Sequence, residues 1–295
     1  MFRSRRLKLN TRKFIRFILF GLVVSLTSSV ILAAESQSAK KFELPHTHRV
    51  PIKSASGIAY ELVISLPASY QSSPDKIYPV LYYTDAYWDA PLLSSIYLDL
   101  AFDKAIPEMI MVGLSCAGHE VNHSVLRTRD LTPTKDPGLE RESGGGAEFL
   151  KFIKEAVVTK VEREYRVNTG ERAIAGWSFG GLFVLYAMYQ DPAFFNRYIA
   201  ISPSVRWHNG FMSAVDDEFV KSHKELDARV FISYATNEDA NFSATVADFQ
   251  KRLADRKYAK LQLKNYVVEG MGHAGTKPTG YAQGLAWVWK DIAPN

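Results

Sequence analysis

Along the chain, short apolar runs alternate with stretches whose apolar positions recur at helical spacing. Tyr60 to Leu66 alternates and predicts an early antiparallel strand. Val80 to Thr84 and Met109 to Leu114 are apolar runs without a polar face, as expected of strands buried on both sides of a parallel sheet. Further strands are read at Arg172 to Gly176, Arg229 to Ala235 and Leu261 to Val268. Helical patterns lie between them at Pro91 to Lys104 and at Glu148 to Tyr165, where Phe149, Ile153, Ala156 or Val157, and Val161 share a face. Others cover Leu182 to Tyr189 and a closing helix around Tyr281 to Ile292. This alternation predicts an α/β fold on a mostly parallel sheet. Pro203 to Ala228 has room for a helix and a loop, so no large lid domain is expected there.

One strand-to-helix junction carries chemistry. The strand at Arg172 runs into Gly176-Trp177-Ser178-Phe179-Gly180-Gly181, and the helix at Leu182 runs out. A serine so placed in G-x-S-x-G is a nucleophile elbow, a turn so sharp that the residues two before and two after must lack a bulky Cβ. Ser178 Oγ would stand exposed at the helix N-terminus, with the Phe179 N–H free to donate to an oxyanion. At a glycine usage of ~7% the bare motif arises by chance in roughly one chain in ten of this length. The flanking strand and helix make it specific.

A serine nucleophile needs a base, and on this architecture the order along the chain is serine, acid, histidine. His208, His223 and His273 lie downstream. His223 sits in the charged run Lys221-Ser222-His223-Lys224-Glu225, read as a solvated helix face, and His208 follows Trp207 in a loop. His273 follows the Leu261 to Val268 strand in Gly270-Met271-Gly272-His273-Ala274-Gly275, whose glycines leave the ring free to reach the serine. It is the expected base. The acid is expected where the Arg229 to Ala235 strand ends, in Thr236-Asn237-Glu238-Asp239. Spacing does not choose between Glu238 and Asp239.

A competing motif is His119-Glu120-Val121-Asn122-His123, a literal H-E-x-x-H of the zinc-protease kind. That chemistry needs both histidines on one helix, whereas here the motif follows a strand through Ala117-Gly118. Its extended form also fails, because Leu126 stands where a glycine is required. Both histidines are read as loop residues and no metal is expected. The single cysteine, Cys116, reads as a small buried residue at a strand end.

The first residues differ from the rest. Met1 to Lys13 is basic with no acid, and Phe14 to Ala34 is nearly all apolar or small. Residues 1–34 are read as a secretory leader, 35–56 as an N-terminal extension with the first strand, and 57–295 as the main domain. The competing reading is a retained anchor, since the apolar run approaches spanning length. The leader accounts for the basic balance. Without Arg3, Arg5, Arg6, Lys8, Arg12, Lys13 and Arg16, the 36 Lys and Arg fall to 29 against 31 Asp and Glu, a net of −2. Nothing electrostatic then favours nucleic acid as a partner. Membrane contact is expected only through an uncleaved leader, and the destination is periplasmic or secreted.

Several segments resemble the putative-esterase family of α/β-hydrolases, which includes siderophore esterases, S-formylglutathione hydrolase, feruloyl esterases and mycolyl transferases. Tyr78-Pro79-Val80-Leu81-Tyr82-Tyr83-Thr84-Asp85 is similar to the family's third strand, Arg127-Thr128-Arg129-Asp130-Leu131-Thr132-Pro133 to its R-x-x-D-x-T-P loop, and Ile201-Ser202-Pro203-Ser204-Val205-Arg206-Trp207 to its SPSxxW segment. With the elbow, the likeness runs from about Ile58 to Trp289. It implies an α/β-hydrolase fold with helices on both faces of the sheet and a serine esterase needing no cofactor. The family's G-x-x-E points to Glu238 ahead of Asp239, although Ala235 replaces the glycine. The end of the third strand implies a second oxyanion N–H near Ala86, where relatives carry Asp-Gly and this chain has Asp85-Ala86-Tyr87-Trp88. The resemblance also implies substrate contacts from Arg127, Arg129 and Trp207, with pairing of the two arginines to Asp130 or nearby acids as the alternative. The function expected is an exported hydrolase of small-molecule carboxylic esters, siderophore-type or otherwise bulky. An acyltransferase using the same acyl-enzyme, a non-catalytic binding module and a zinc protease are the alternatives.

Overall fold

The computed structural model describes residues 42–118 and 121–294, so the expected leader lies outside the described residues. The compact unit begins at Leu44. Its elements in chain order are β1 (Thr47–Lys53), β2 (Ala59–Ser65), β3 (Tyr78–Tyr83), α1 (Ala86–Phe102), β4 (Ile110–Cys116) and α2 (His123–Leu131). Then come α3 (Gly146–Phe152), a π-helical turn (Ile153–Val158), α4 (Thr159–Glu164), β5 (Val167–Trp177), α5 (Phe179–Gln190), β6 (Arg197–Ile201) and α6 (Trp207–Ser222). The chain closes with β7 (Arg229–Ala235), α7 (Ala240–Arg256), β8 (Gln262–Val268) and α8 (Thr276–Val288).

The sheet order is β1-β2-β4-β3-β5-β6-β7-β8. β1 with β2 and β2 with β4 are antiparallel, and every later pairing is parallel. Because side chains alternate across a strand, each apolar run feeds two cores. Val80, Tyr82, Ile110, Val112 and Ile174 face one core together with α5 and α7. Leu81, Tyr83, Met111, Ala173 and Ala175 face the other, under α1 and α8. The α/β-hydrolase architecture expected from the sequence is therefore present, with helices on both faces and only α6 between β6 and β7. Helix α5 has no polar face because it is enclosed: every residue from Gly180 to Tyr189 is buried.

Several boundaries differ from the sequence reading: β5 starts at Val167 and not Arg172, and the closing helix spans Thr276–Val288 and not Tyr281 to Ile292. Helix α1 starts at Ala86 and carries Pro91 inside it, where a proline signals a first turn. The stretch from Arg127 to Leu131, expected as loop, is the second half of helix α2. Asn122 caps that helix by accepting the Val125 N–H at 3.2 Å. The hydroxyls of Thr128 and Thr132 donate back to the carbonyls of Ser124 and Thr128 at 2.9 and 2.7 Å. Residues that suggest a loop by composition are thus satisfied inside or just past a helix.

Candidate active site

The elbow is built by sterics. Ser178 sits between β5 and α5 at φ 59°, ψ −114°, outside the regions an L-residue prefers. A Cβ on Gly176 would meet the Gly180 backbone and approach Thr84 Oγ1 to 2.8 Å, and one on Gly180 would collide with the same Thr84 hydroxyl. Three hydrogen bonds hold the strained residue in place. Its N–H donates to the Ile201 carbonyl at 2.9 Å, and its own carbonyl accepts from Leu182 N–H at 2.9 Å and Ser204 N–H at 3.0 Å.

The structure brings Ser178, His273 and Glu238 together. Ser178 Oγ lies 3.0 Å from His273 Nε2, and His273 Nδ1 lies 2.6 Å from Glu238 Oε1. Glu238 is 1% exposed, and its other oxygen accepts the Ala235 N–H at 2.8 Å. Burial alone would raise this carboxyl. Hydrogen bonds from His273, the Ala235 N–H and Ser202 outweigh burial and hold it below the usual glutamate value. With Nδ1–H donating to the carboxylate, Nε2 is left to accept the Ser178 proton.

The supporting loops are laced to one another. Asn237 N–H donates to the Met271 carbonyl at 3.0 Å, and Gly270 N–H to Thr236 Oγ1 at 2.8 Å. The His273 carbonyl accepts both the Trp177 indole N–H at 2.9 Å and the Thr276 hydroxyl at 2.6 Å. Asp239 does different work. Its carboxylate, 62% exposed, caps α7 by accepting the Phe242 N–H at 3.0 Å.

Phe179 and Ala86 are each the first residue of a helix that follows a parallel strand. In register the two differ by one: Tyr83 of β3 pairs with Ala175 of β5, so Ala86 matches Ser178, the residue before Phe179. Phe179 opens α5 and Ala86 opens α1, so both backbone N–H groups are among those a helix leaves without an internal acceptor. Both helices start just past the carboxyl ends of parallel strands, the edge where α/β folds place ligands. A cleft of about 500 Å³ opens there, lined by Ser178, Phe179, Trp207, His208, Glu238 and His273 among others, whereas Ala86 is buried and not among its lining residues. Trp207 is a wall of it, edge-on to Phe179 at 5.3 Å with its indole N–H donating to Thr134 Oγ1 at 3.1 Å.

Arg127 and Arg129 are not among the residues lining this cleft; each is paired with a buried carboxylate, and Arg127 lies 5.4 Å from the Phe179 ring centroid. Asp85 and Asp130 are buried carboxylates at the ends of the apolar strand and the short helix, and each needs a cation. Arg127 meets Asp85 in a two-pronged pair at 2.7 and 2.8 Å and donates to the Trp177 carbonyl at 3.3 Å. Arg129 pairs with Asp130 at 2.6 Å and donates to Tyr60 OH at 3.3 Å. Asp85 was not singled out in the sequence. An acid ending an apolar strand is a signal that some cation must cover it, but chain order does not say which.

The H-E-x-x-H segment shows no zinc-protease geometry at its second histidine. His123 opens α2 after the Asn122 cap, with its ring stacked on Tyr87 at 3.7 Å, whereas the motif needs it one turn into a helix. His119 and Glu120 lie outside the described residues. The Cys116 thiol is pushed up to about 12, first by burial and then by the Asp130 carboxylate, so it is not a thiolate nucleophile at neutral pH.

Comparison with known proteins agrees with the fold. The family model described as putative esterase matches residues 54–277. The chain belongs to the putative-esterase family. It is a carboxylic ester hydrolase on the α/β-hydrolase fold. Among its relatives, the ferri-bacillibactin esterase BesA of Bacillus subtilis is 28% identical over 258 residues, 80% of this chain and 86% of that one. A siderophore enterobactin esterase of Emericella nidulans is 32% identical over 168 residues, 51% of this chain and 55% of the relative. In structure, the BES protein from Bacillus cereus superposes with a TM-score of 0.77 at 24% identity, covering 86% of this chain and 98% of that one. An IroE-like serine hydrolase from Shewanella oneidensis gives 0.75 at 24%, covering 84% and 82%.

Proposed function

We propose that this protein is an exported serine esterase that opens siderophore-type or other bulky esters through an acyl-enzyme. The observation that carries the reading is the unbroken chain from Ser178 Oγ through His273 to Glu238, at 3.0 and 2.6 Å. Ser178 Oγ attacks the ester carbonyl while its proton passes to His273 Nε2. The charge that develops on the carbonyl oxygen is met by the N–H groups of Phe179 and Ala86. Collapse of the tetrahedral species breaks the carbonyl–alkoxy bond, and His273 returns the proton to the leaving alcohol. Water then repeats the sequence on the Ser178 ester, releasing the acid and restoring the hydroxyl. Glu238 stabilises the imidazolium at each stage.

Two features support a bulky substrate. The cleft is open to solvent with no lid domain between β6 and β7. The relatives above are named for ferri-bacillibactin and enterobactin. Export rests on the basic and then apolar residues 1–34, which also fit a site outside the cytoplasm.

The test is a hydrolysis panel on the protein lacking residues 1–34. It compares short p-nitrophenyl esters, feruloyl esters and cyclic tri-ester siderophores, with products weighed by mass spectrometry. Siderophore products gaining one water per cleaved ester are expected. Acyl groups transferred to an added alcohol without hydrolysis would make the protein an acyltransferase, and no turnover on any ester would make the cleft a binding site. For export, the N-terminal residue of protein recovered outside the cytoplasm should lie near residue 35.

A further inference from the structure

Beyond the three groups that do the chemistry, one buried ion pair joins the segments that carry them. Asp89 lies one turn past Ala86 in α1 and is 1% exposed. Its two oxygens accept from Lys277 Nζ at 2.7 Å and Tyr281 OH at 2.7 Å, both on α8, the helix that follows the His273 loop. The Lys277 ammonium also sits over the Trp177 indole, 4.8 Å from its centroid. Trp177 is the residue before the elbow serine. Its N–H carries the His273 carbonyl at 2.9 Å, and its ring lies 4.6 Å from the imidazole. On its other side, the Trp177 carbonyl accepts from Arg127, which is bound to Asp85 at the start of α1.

We propose that Lys277 is a positioning residue that sets the base His273 against the oxyanion donor Ala86, acting through Asp89 on one side and Trp177 on the other. This rests on the Ser178–His273 reading above. A carboxylate as enclosed as Asp89 is stable only with its cation in place, so the pair fixes the spacing of α1 and α8. The same cation, held against an indole face, fixes the tilt of the ring whose N–H anchors the His273 carbonyl. The Asp89 side chain is 1% exposed and Lys277 19%, so little water reaches the pair to substitute for the ammonium, and burial pushes the Asp89 carboxyl above its usual value even with Lys277 and Tyr281 bonded to it. The oxyanion N–H and the base must be correct relative to one another to within a fraction of an ångström. A displacement of about 1 Å costs on the order of a hundredfold in rate.

The experiment uses the full chain and compares Lys277→Met, Lys277→Arg, Trp177→Phe and Arg256→Met. The last opens another pair with a buried carboxylate, Asp216 with Arg256 at 2.7 Å between α6 and α7, neither residue lining the Ser178 cleft, and controls for a purely structural loss. Lys277→Met should lower kcat about 10- to 100-fold with KM changed less than about twofold, and slow fluorophosphonate labelling of Ser178 by a similar factor. Lys277→Arg should recover most of that rate. Trp177→Phe, which keeps an aromatic face but loses the indole N–H and part of the surface under Lys277, should lower kcat in the same way, and the Lys277→Met/Trp177→Phe pair should lose less than the product of the two. Arg256→Met should lower Tm and leave kcat in place. A folded Lys277→Met with wild-type kcat, strictly multiplicative losses with Trp177→Phe, or an equal kcat loss in Arg256→Met overturns the proposal. If Lys277→Met does not fold, a wild-type kcat in Trp177→Phe overturns it. Ser178→Ala separates the two levels: residual labelling and turnover there refute the catalytic reading itself, whereas a dead Ser178→Ala beside a fully active Lys277→Met refutes only the positioning role.

Discussion

Glu238→Gln separates the two carboxylates most sharply. Glu238 accepts the His273 Nδ1–H at 2.6 Å and the Ala235 N–H at 2.8 Å, so a buried amide in its place must give one neighbour an N–H it cannot accept. If the amide carbonyl stays on Ala235, the NH₂ faces His273 Nδ1, which must then be the bare nitrogen. Nε2 becomes N–H, and the Ser178 proton has no acceptor. If the amide turns, the correct tautomer survives but the Ala235 N–H is buried against another donor, at a cost of about 1–3 kcal/mol. That keeps the competent arrangement to roughly a tenth or a hundredth of molecules. Loss of the carboxylate's stabilisation of the imidazolium adds to this, and neutralising the acid of a serine protease triad costs ~10⁴ in kcat, about 5.4 kcal/mol at 1.36 kcal/mol per decade. The expected fall in kcat is therefore about 10³ to 10⁴, with KM nearly unchanged. Asp239→Asn is the control. Asparagine caps a helix as well as aspartate does, and the side chain is 62% exposed, so kcat should change less than about tenfold. Steady-state kinetics on a chromogenic ester give both numbers. The opposite ranking would refute the assignment, and two mild effects would leave a serine–histidine dyad.

Ser178→Ala should abolish hydrolysis and fluorophosphonate labelling while Tm stays close to wild type, because the hydroxyl lines an open cleft and packs in no core. Gly180→Ala should lower stability by about 1–3 kcal/mol, measured by urea unfolding, since the new methyl would collide with the Thr84 hydroxyl. The Glu238 carboxyl is held low in the folded chain, so on acidification the unfolded chain takes up this proton first. Its contribution to stability is complete above the ordinary glutamate value of about 4.3 and is lost as pH falls through the lower folded value. Below about pH 5 the urea midpoint of the wild type should therefore drop more steeply than that of Glu238→Gln. Chelation with EDTA should leave ester hydrolysis unchanged, and His119→Ala with His123→Ala should remove no bound zinc. Bound zinc lost together with activity would restore the metal reading.

The elements most legible in the sequence are those set by local constraints. The apolar runs at Val80 and Met109 announce strands because both faces of the sheet are covered, and the missing polar face of Leu182 to Tyr189 announces an enclosed helix. The elbow is legible because one of its constraints acts within five residues: a Cβ on Gly176 would meet the Gly180 backbone, whereas the constraint on Gly180 comes from Thr84 at the end of another strand. Strand order and the glycine-rich loop then single out His273 from three histidines. The choice between Glu238 and Asp239 is different in kind. Both follow the same strand, and only the turn at its end, cross-linked to the His273 loop through Asn237 and Thr236, aims one inward and leaves the next to cap α7. For Arg127 and Arg129 the sequence leaves pairing with Asp130 or a nearby acid open beside substrate contact, and which acid each meets is decided only once the sheet and α2 have buried Asp85 and Asp130. The Lys277–Asp89 pair spans most of the domain in sequence, and packing of α1 against α8 alone brings it together. Backbone sterics and side-chain periodicity are written into neighbouring residues. The partner of a buried charge is decided by whichever element folds against it.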